Sequence, residues 1–323
     1  RTGSKNGNKY RSNTNSKIRN SICITNLFSD ARDPQNSNRP KNLMKNYTLS
    51  PKPYTLTIGW LYPELMSTYG DRGNIIALTK RCEWRGIKVD IKRLDIGYSV
   101  KELRSCDLLF MGGAQDRQQK IVSQDLKKKV KVLREMIEDD TPGLYICGAY
   151  QFLGRYYKEA DGAIIKGLGI LDLYTEHPGE NHPRLIGNIV VRMQDLIHPW
   201  GEFSLTPQGW NSIDTLVGFE NHGGRTYLGE KVKPLGKVLV GFGNNGEYRE
   251  EGAVYKNSFG SYLHGPILPK NPHFADYLIK LALENKYLPR GKTGQSPIKL
   301  KKLNDSLEYQ AHKAILEKLE IKI

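Results

Sequence analysis

GLYICGAYQFLG, residues 143–154, sets a short apolar run between Gly143 and Cys147 and follows it with two small residues, Gly148 and Ala149. A run this short, bounded by glycines, predicts a buried strand, and the residues from about Tyr150 predict the helix that follows it. The thiol at the junction has two readings. A cysteine in an apolar strand is ordinarily core filling. A nucleophile at a strand-to-helix turn, however, needs small neighbours, because the turn is strained and the backbone must come close to the substrate. The start of the following helix adds N–H groups and a positive dipole end that favour a thiolate and an oxyanion. The stretch alone leaves both readings open.

Outward from it, the texture is strand, helix, strand. TLTIGWLY (55–62) predicts a strand, PELMSTYGDRG a loop, and Asn74 to about Arg85 a helix. IKVDIKRL alternates as a strand does, CDLLFMGG is a buried strand ending in glycines, and residues 120–138 are predicted as one lysine-rich helix. This alternation implies an α/β fold with a mostly parallel sheet covered on both faces, and reactive groups gather beyond the carboxyl ends of such strands. After Ile164 the pattern turns to strands in LGILDLYT, GNIVVRM, DTLVGFEN, KVLVGFG and SFGSYLHG, with HPWGEFSLTPQGW (198–210) as an insertion among them. NPHFADYLIKLALENK predicts an amphipathic helix. A Pro/Gly/Lys-rich link leads to a last helix from Asp305, whose spacing to Glu308 fits a capping box. Leu307, Ala311, Ile315 and Leu319 are its predicted apolar stripe.

The bulk properties bound the function. The chain has 323 residues, 38% hydrophobic and 26% charged, and no stretch approaches the apolar length of a membrane span. Its four cysteines form neither a CxxC pair nor a zinc spacing, which favours a reducing, cytoplasmic setting and argues against a metal site. The net charge of +15 suggests nucleic acid, but residues 1–53 hold 11 Lys/Arg against two Asp and so carry most of it. That Asn/Ser-rich segment shows no apolar periodicity and is predicted to be disordered. The domain plan is therefore a basic segment over 1–53, a folded domain over 54–288, and a link with a final helix over 289–323.

Two further stretches bear on Cys147. FMGGAQD (110–116) ends a strand in two glycines, placing the Gly113 N–H at the same rim as the Gly148 N–H. Taken alone it is a tight βα turn. GSYLHGP (260–266) places His264 after a strand, where a lone histidine is usually structural. A cysteine and a histidine on separate strand ends are nevertheless what thiol catalysis requires.

Taken together, YGDRGN (69–74), MGGAQDRQQ (111–119), CGAYQFLG (147–154), GLGILDLYT (167–175), GFENHGGRT (218–226) and YLHGPILPKN (262–271) resemble the class I glutamine amidotransferases of the cobyric-acid-synthase type. Within that family the motifs are most similar to glutaminase subunits serving lipid II amidation in peptidoglycan biosynthesis. The resemblance runs from about Tyr54 to the C-terminus and implies a three-layer flavodoxin-like fold. It implies Cys147 as nucleophile, His264 as general base and acid, Gly113 and Gly148 as backbone donors of an oxyanion hole, and Arg184 as a holder of glutamine. Gln151, Asn221, His222, Gly223, Arg225, Asp71 and Asn74 match positions of support and substrate positioning. No cofactor or metal is implied in this subunit. ATP and magnesium would belong to a Mur-ligase-like synthetase partner in a heterodimer, through which lipid II is reached, and no nucleic acid is expected.

Three positions depart from the family pattern. Pro266 stands where a Glu commonly orients the histidine, so a Cys–His dyad or an acid from elsewhere is expected. Ala114 and Ala149 replace common glycines, which both turns tolerate if φ is negative there. Two alternatives stay open: a cobyrinate-type amidotransferase or free amidohydrolase, and a non-catalytic flavodoxin-like module whose basic segment contacts nucleic acid or anionic lipid.

Overall fold

A computed structural model describes residues 53–67, 70–114, 116–193, 214–288 and 298–321. The basic segment up to residue 52, the 198–210 insertion and the link over 289–297 lie outside the described residues. The central sheet runs in the order β13-β14-β4-β3-β1-β2. Its strands are β1 (Thr55–Leu61), β2 (Lys88–Leu94), β3 (Leu108–Met111), β4 (Gly143–Ile146), β13 (Ala253–Tyr255) and β14 (Ser258–Ser261). All neighbours pair in parallel except the edge strand β13.

The period-two pattern of these strands feeds two cores. Ile58, Trp60, Leu108, Phe110, Leu144 and Ile146 point to one face, where they meet α1 (Arg72–Glu83) and α6 (Pro272–Tyr287). Leu109, Met111 and Tyr145 point to the other, packed with α2 (Val100–Arg104), α3 (Asp116–Lys127), α4 (Val130–Glu138) and α5 (Gly148–Leu153). The result is the expected three-layer α/β arrangement of flavodoxin-like type, and no helix among the described residues is long and apolar enough to cross a membrane.

Beyond the central sheet lie β5 (Tyr156–Lys158), β6 (Ile164–Lys166), β7 (Leu173–Glu176) and β10 (Arg225–Leu228), in one four-stranded sheet. A second four-stranded sheet holds β8 (Leu185–Met193), β9 (Thr215–His222), β11 (Gly236–Val240) and β12 (Glu250–Glu251). The short strands β5, β6, β10, β12 and β13 carry too few residues for periodicity to announce them, and LGILDLYT is strand only from Leu173.

The helices correct three expectations. The segment over 120–138 is two helices, one ending at Lys127 and the next beginning at Val130, and between them Lys129 pairs with Asp125 at 2.7 Å and lies over the Tyr98 ring. The helix after β4 begins at Gly148, two residues before the expected start. The C-terminal helix α7 (Ser306–Lys318) has no capping box: the Asp305 carboxylate is held by Arg81, at 2.7 and 3.0 Å. Its buried face is Tyr309, His312 and Leu316, while Leu307 is 73% exposed and Ala311 also faces solvent. The helix packs on its own domain, Leu316 against Val190 and Val217.

Candidate active site

Cys147 is the residue between β4 and α5, and its backbone carries the strain that a nucleophile elbow needs. Its φ is +54° and ψ −109°, a conformation that side chains other than glycine adopt at a cost of about 1–3 kcal/mol. Strand pairing holds it there from one side, since its N–H donates to Ser261 O at 2.8 Å, and its carbonyl accepts the Gln151 N–H of the next helical turn from the other. The side chain is half-buried, packed against both cores.

His264 follows β14 by three residues. Its own N–H and carbonyl are pinned to Phe219 of β9 by a pair of backbone hydrogen bonds of 2.7 and 3.2 Å. The side chain is fully buried, and its Nδ1 lies 3.5 Å from Asp71 Oδ1. Burial disfavours the imidazolium, but hydrogen bonding to Asp71 and Cys147 outweighs it and pushes the group up to about 10. At neutral pH His264 is therefore a cation between a carboxylate and a sulfur.

The acid that Pro266 does not supply thus comes from Asp71, at the N-terminus of α1. The Pro266 ring fills the space where a Gly73 Cβ would stand, in the first turn of that same helix. Asp71 does more than face the histidine. Its Oδ2 accepts the Gly113 N–H at 2.7 Å, so one buried carboxylate ties His264 to the glycine loop after β3. Here the expectation for Gly113 changes: its N–H is committed to Asp71 in this state and does not face a vacant oxyanion position. The glycine itself is required by close approach, since a Cβ would stand 3.0 Å from His264 Cε1 and 3.1 Å from Cys147 Cβ. Ala114 and Ala149 have no positive φ, as their tolerance requires.

The supporting residues divide by place. Gln151 is buried beside the elbow and donates from Nε2 to Tyr262 Oη at 3.1 Å. His222 stacks on the Tyr262 ring at 3.7 Å, bonds Gly224 O through Nδ1, and has Nε2 3.5 Å from Glu220. Burial holds His222 below the usual histidine range in spite of Glu220, so it is neutral. Asn74 lies behind the site, its Oδ1 accepting the Leu268 N–H at 2.9 Å, and it shapes the segment after His264. Arg184, just before β8, Asn221 near the end of β9, Gly223 in the turn after it and Arg225 at the start of β10 gather in one place: Arg184 donates to Asn221 Oδ1 and O at 2.9 and 3.0 Å.

Sequence reasoning passed over Gln119, Tyr262 and Glu220. Gln119 is buried, donates to Ala114 O at 2.9 Å, and stands 2.7 Å from the point a Gly148 Cβ would occupy. It joins the loop after β3 to α5. Its only signal was membership of the MGGAQDRQQ motif. Glu220 accepts the N–H groups of Phe242 and Gly243, which a two-residue offset from His222 could not reveal.

A thiol on a strained strand–helix elbow beside a buried histidine–carboxylate pair is the apparatus of covalent amide chemistry. The sequence profile of the CobB/CobQ-like glutamine amidotransferase domain matches residues 57–272. The chain belongs to that family of glutamine amidotransferases. It is 40% identical to the lipid II isoglutaminyl synthase (glutamine-hydrolyzing) subunit GatD of Staphylococcus aureus, over 82% of this chain and 96% of that one. The same subunit from Streptococcus pneumoniae is 42% identical, over 73% of this chain and 83% of its own length. A probable cobyric acid synthase of Methanothermobacter thermautotrophicus is 28% identical over 72% of this chain but only 44% of its own.

Proposed function

We propose that this chain is the glutaminase subunit of a lipid II isoglutaminyl synthase. It would hydrolyse L-glutamine and hand the ammonia to an ATP-dependent, Mur-ligase-like partner that amidates the D-glutamate α-carboxylate of the lipid II stem peptide. The observation that carries the acceptor is the likeness to two such subunits over nearly their whole length. The hydrolytic half rests on Cys147, His264 and Asp71.

In this reading the Cys147 thiolate, paired with the His264 imidazolium, attacks the γ-amide carbon of glutamine, and the C–N bond breaks as the imidazolium gives its proton to the leaving ammonia. The neutral His264 then takes a proton from water, whose oxygen attacks the γ-glutamyl thioester. Glutamate leaves and the thiolate–imidazolium pair is restored. Gly148 N–H is one oxyanion donor; Gly113 N–H is the second, once the substrate oxygen replaces Asp71 as its acceptor. Arg184 takes the α-carboxylate, for which a guanidinium fork is suited. This half needs no metal or organic cofactor, and ATP and magnesium act on the partner. Free thiols at Cys82, Cys106 and Cys147 agree with a cytoplasmic site, at the inner membrane face where the complex meets lipid II.

The test is reconstitution with the purified chain, the candidate synthetase, glutamine, ATP, magnesium and lipid II. Amidated lipid II is expected only when all are present, with glutamate release persisting without lipid II. Glutamate release without any transfer to lipid II would overturn the acceptor, and absence of glutamate release would overturn the whole reading.

A further inference from the structure

Arg225 sits at the start of β10, just beyond the Gly223–Gly224 turn, and its guanidinium binds no side chain in the hydrogen bonds found among the described residues. Instead Nη1 donates to Gly223 O and Nη2 to Pro183 O, each at 2.8 Å. These carbonyls belong to two separate loops, and Pro183 immediately precedes Arg184. The fork therefore fastens the loop that carries Arg184 to the turn beside it.

That turn is the wall between Arg184 and the nucleophile helix. A Cβ on Gly224 would lie 3.0 Å from Gln151 Nε2, and one on Gly223 would lie 3.3 Å from Arg184 Nη1 and against the His177 ring. Only a pair of glycines leaves room for both approaches. Arg184 itself spends Nε and Nη2 on Asn221, which orients its remaining edge. Among the described residues neither arginine has a carboxylate within ion-pair distance, and burial holds the Arg225 guanidinium below its ordinary value. A guanidinium held by neutral oxygens, with an edge left over, is a place for an anion, and here that group is Arg184.

We infer that Arg225 is a positioning residue that sets Arg184 for the α-carboxylate of glutamine, and so makes the enzyme select a free amino-acid α-carboxylate. This rests on the glutaminase reading above. Arg225 does not touch the substrate; it acts by locking two backbones at the spacing Arg184 needs. A lysine cannot reproduce it, because one ammonium on a flexible stem lacks the planar fork that spans both carbonyls.

The experiment compares hydrolysis of L-glutamine and of L-glutamine α-carboxamide, which keeps the γ-amide but lacks the α-carboxylate. The wild type, Arg225→Ala, Arg225→Gln, Arg225→Lys, Arg184→Ala and the Arg184→Ala/Arg225→Ala double variant are assayed, with the iodoacetamide alkylation rate of Cys147 as a check of the folded elbow. In Arg225→Ala, KM for glutamine is expected to rise about 10- to 100-fold with kcat within about threefold. Preference for glutamine over the carboxamide should fall by the same factor, Arg225→Lys should not restore it, and the double variant should be no worse than Arg184→Ala. Unchanged preference in Arg225→Ala or Arg225→Gln, an additive double variant, or a fall in kcat alone would overturn the proposal. A wild type inactive on both substrates instead removes the glutaminase reading itself.

Discussion

His264 and His273 are equally hidden, at 0% and 3% exposure, yet the protein treats them in opposite ways. Burial opposes charge on both. At His264 the Asp71 carboxylate and Cys147 reverse that penalty and push the imidazole up to about 10. At His273 burial is reinforced by the neighbouring His312, and the Thr215 carbonyl compensates only in part, so the group is pushed down to about 3. The first environment keeps a proton ready beside a nucleophile. The second keeps a neutral ring as a strut: His273 bonds Thr215 O at 3.0 Å, while His312 bridges Thr215 Oγ1 and Lys270 O beneath α7. Partner chemistry, not depth, separates the reactive histidine from the structural one.

The strongest way to break this contrast is to remove the reactive ring. His264→Ala should lower glutamate release by about 10³-fold or more, within the range a positioned acid–base contributes. The matching His273→Gln variant should keep kcat within about threefold, because its ring touches none of the reacting groups. Steady-state glutaminase assays on both decide it, and comparable losses would erase the distinction. Next in size is Asp71→Asn, which leaves His264 in place but withdraws the carboxylate. Activity should fall about 10²-fold, and the alkaline limb of the pH–rate profile should move to lower pH, since burial then meets less opposition. That variant turns His264 toward the condition of His273.

Much of the site was legible because Cys147 and His264 lie in motifs at strand ends, where a parallel sheet collects them. The doubly covered sheet was equally legible, from period-two runs such as LLFM and GLYI that feed both cores. The acid was not. Asp71 lies 193 residues before His264 in sequence and meets it only because α1 begins at the rim of the sheet. The commitment of the Gly113 N–H to that carboxylate was hidden for the same reason, as composition cannot say which acceptor an amide faces. In α7 the apolar residues showed only part of the packed face: Ile315 and Leu319 pack beside Leu316, but Tyr309 and His312 are also buried there, where His312 Nε2 meets Thr215 Oγ1, and Leu307 is left in solvent.

The two histidines also leave opposite marks on stability against pH. For His264 the folded value lies above the unfolded one near 6.5, so its contribution is complete below about pH 6.5 and is lost as pH rises through about 10. For His273 the folded value lies below, so its contribution is complete above about pH 6.5 and is lost as pH falls toward about 3. Thermal melts should accordingly show Tm falling from pH 7 to pH 4, with a shallower fall in His273→Gln, and a separate fall from about pH 7 to pH 10 that His264→Ala lessens. An acid limb unchanged in His273→Gln would place the acid sensitivity elsewhere.

The smallest effect concerns the roof over His273. Leu316 is 6% exposed and packs with Val190 and Val217, so Leu316→Ala removes buried apolar contact and should cost about 2–3 kcal/mol. Leu307, on the face once expected to be apolar, is 73% exposed, and Leu307→Ala should stay within about 0.5 kcal/mol. Urea denaturation at pH 7 measures both. Loosening α7 should also admit water to His273 and make the acid limb shallower, because the desolvation that depresses this group depends on the helix staying down. The alkaline limb set by His264 should not move with it, since Asp71 and Cys147 hold that ring from the far end of the sheet. If Leu307→Ala proved the costlier change, the phase of α7 would be wrong, and with it the account of why His273 is neutral.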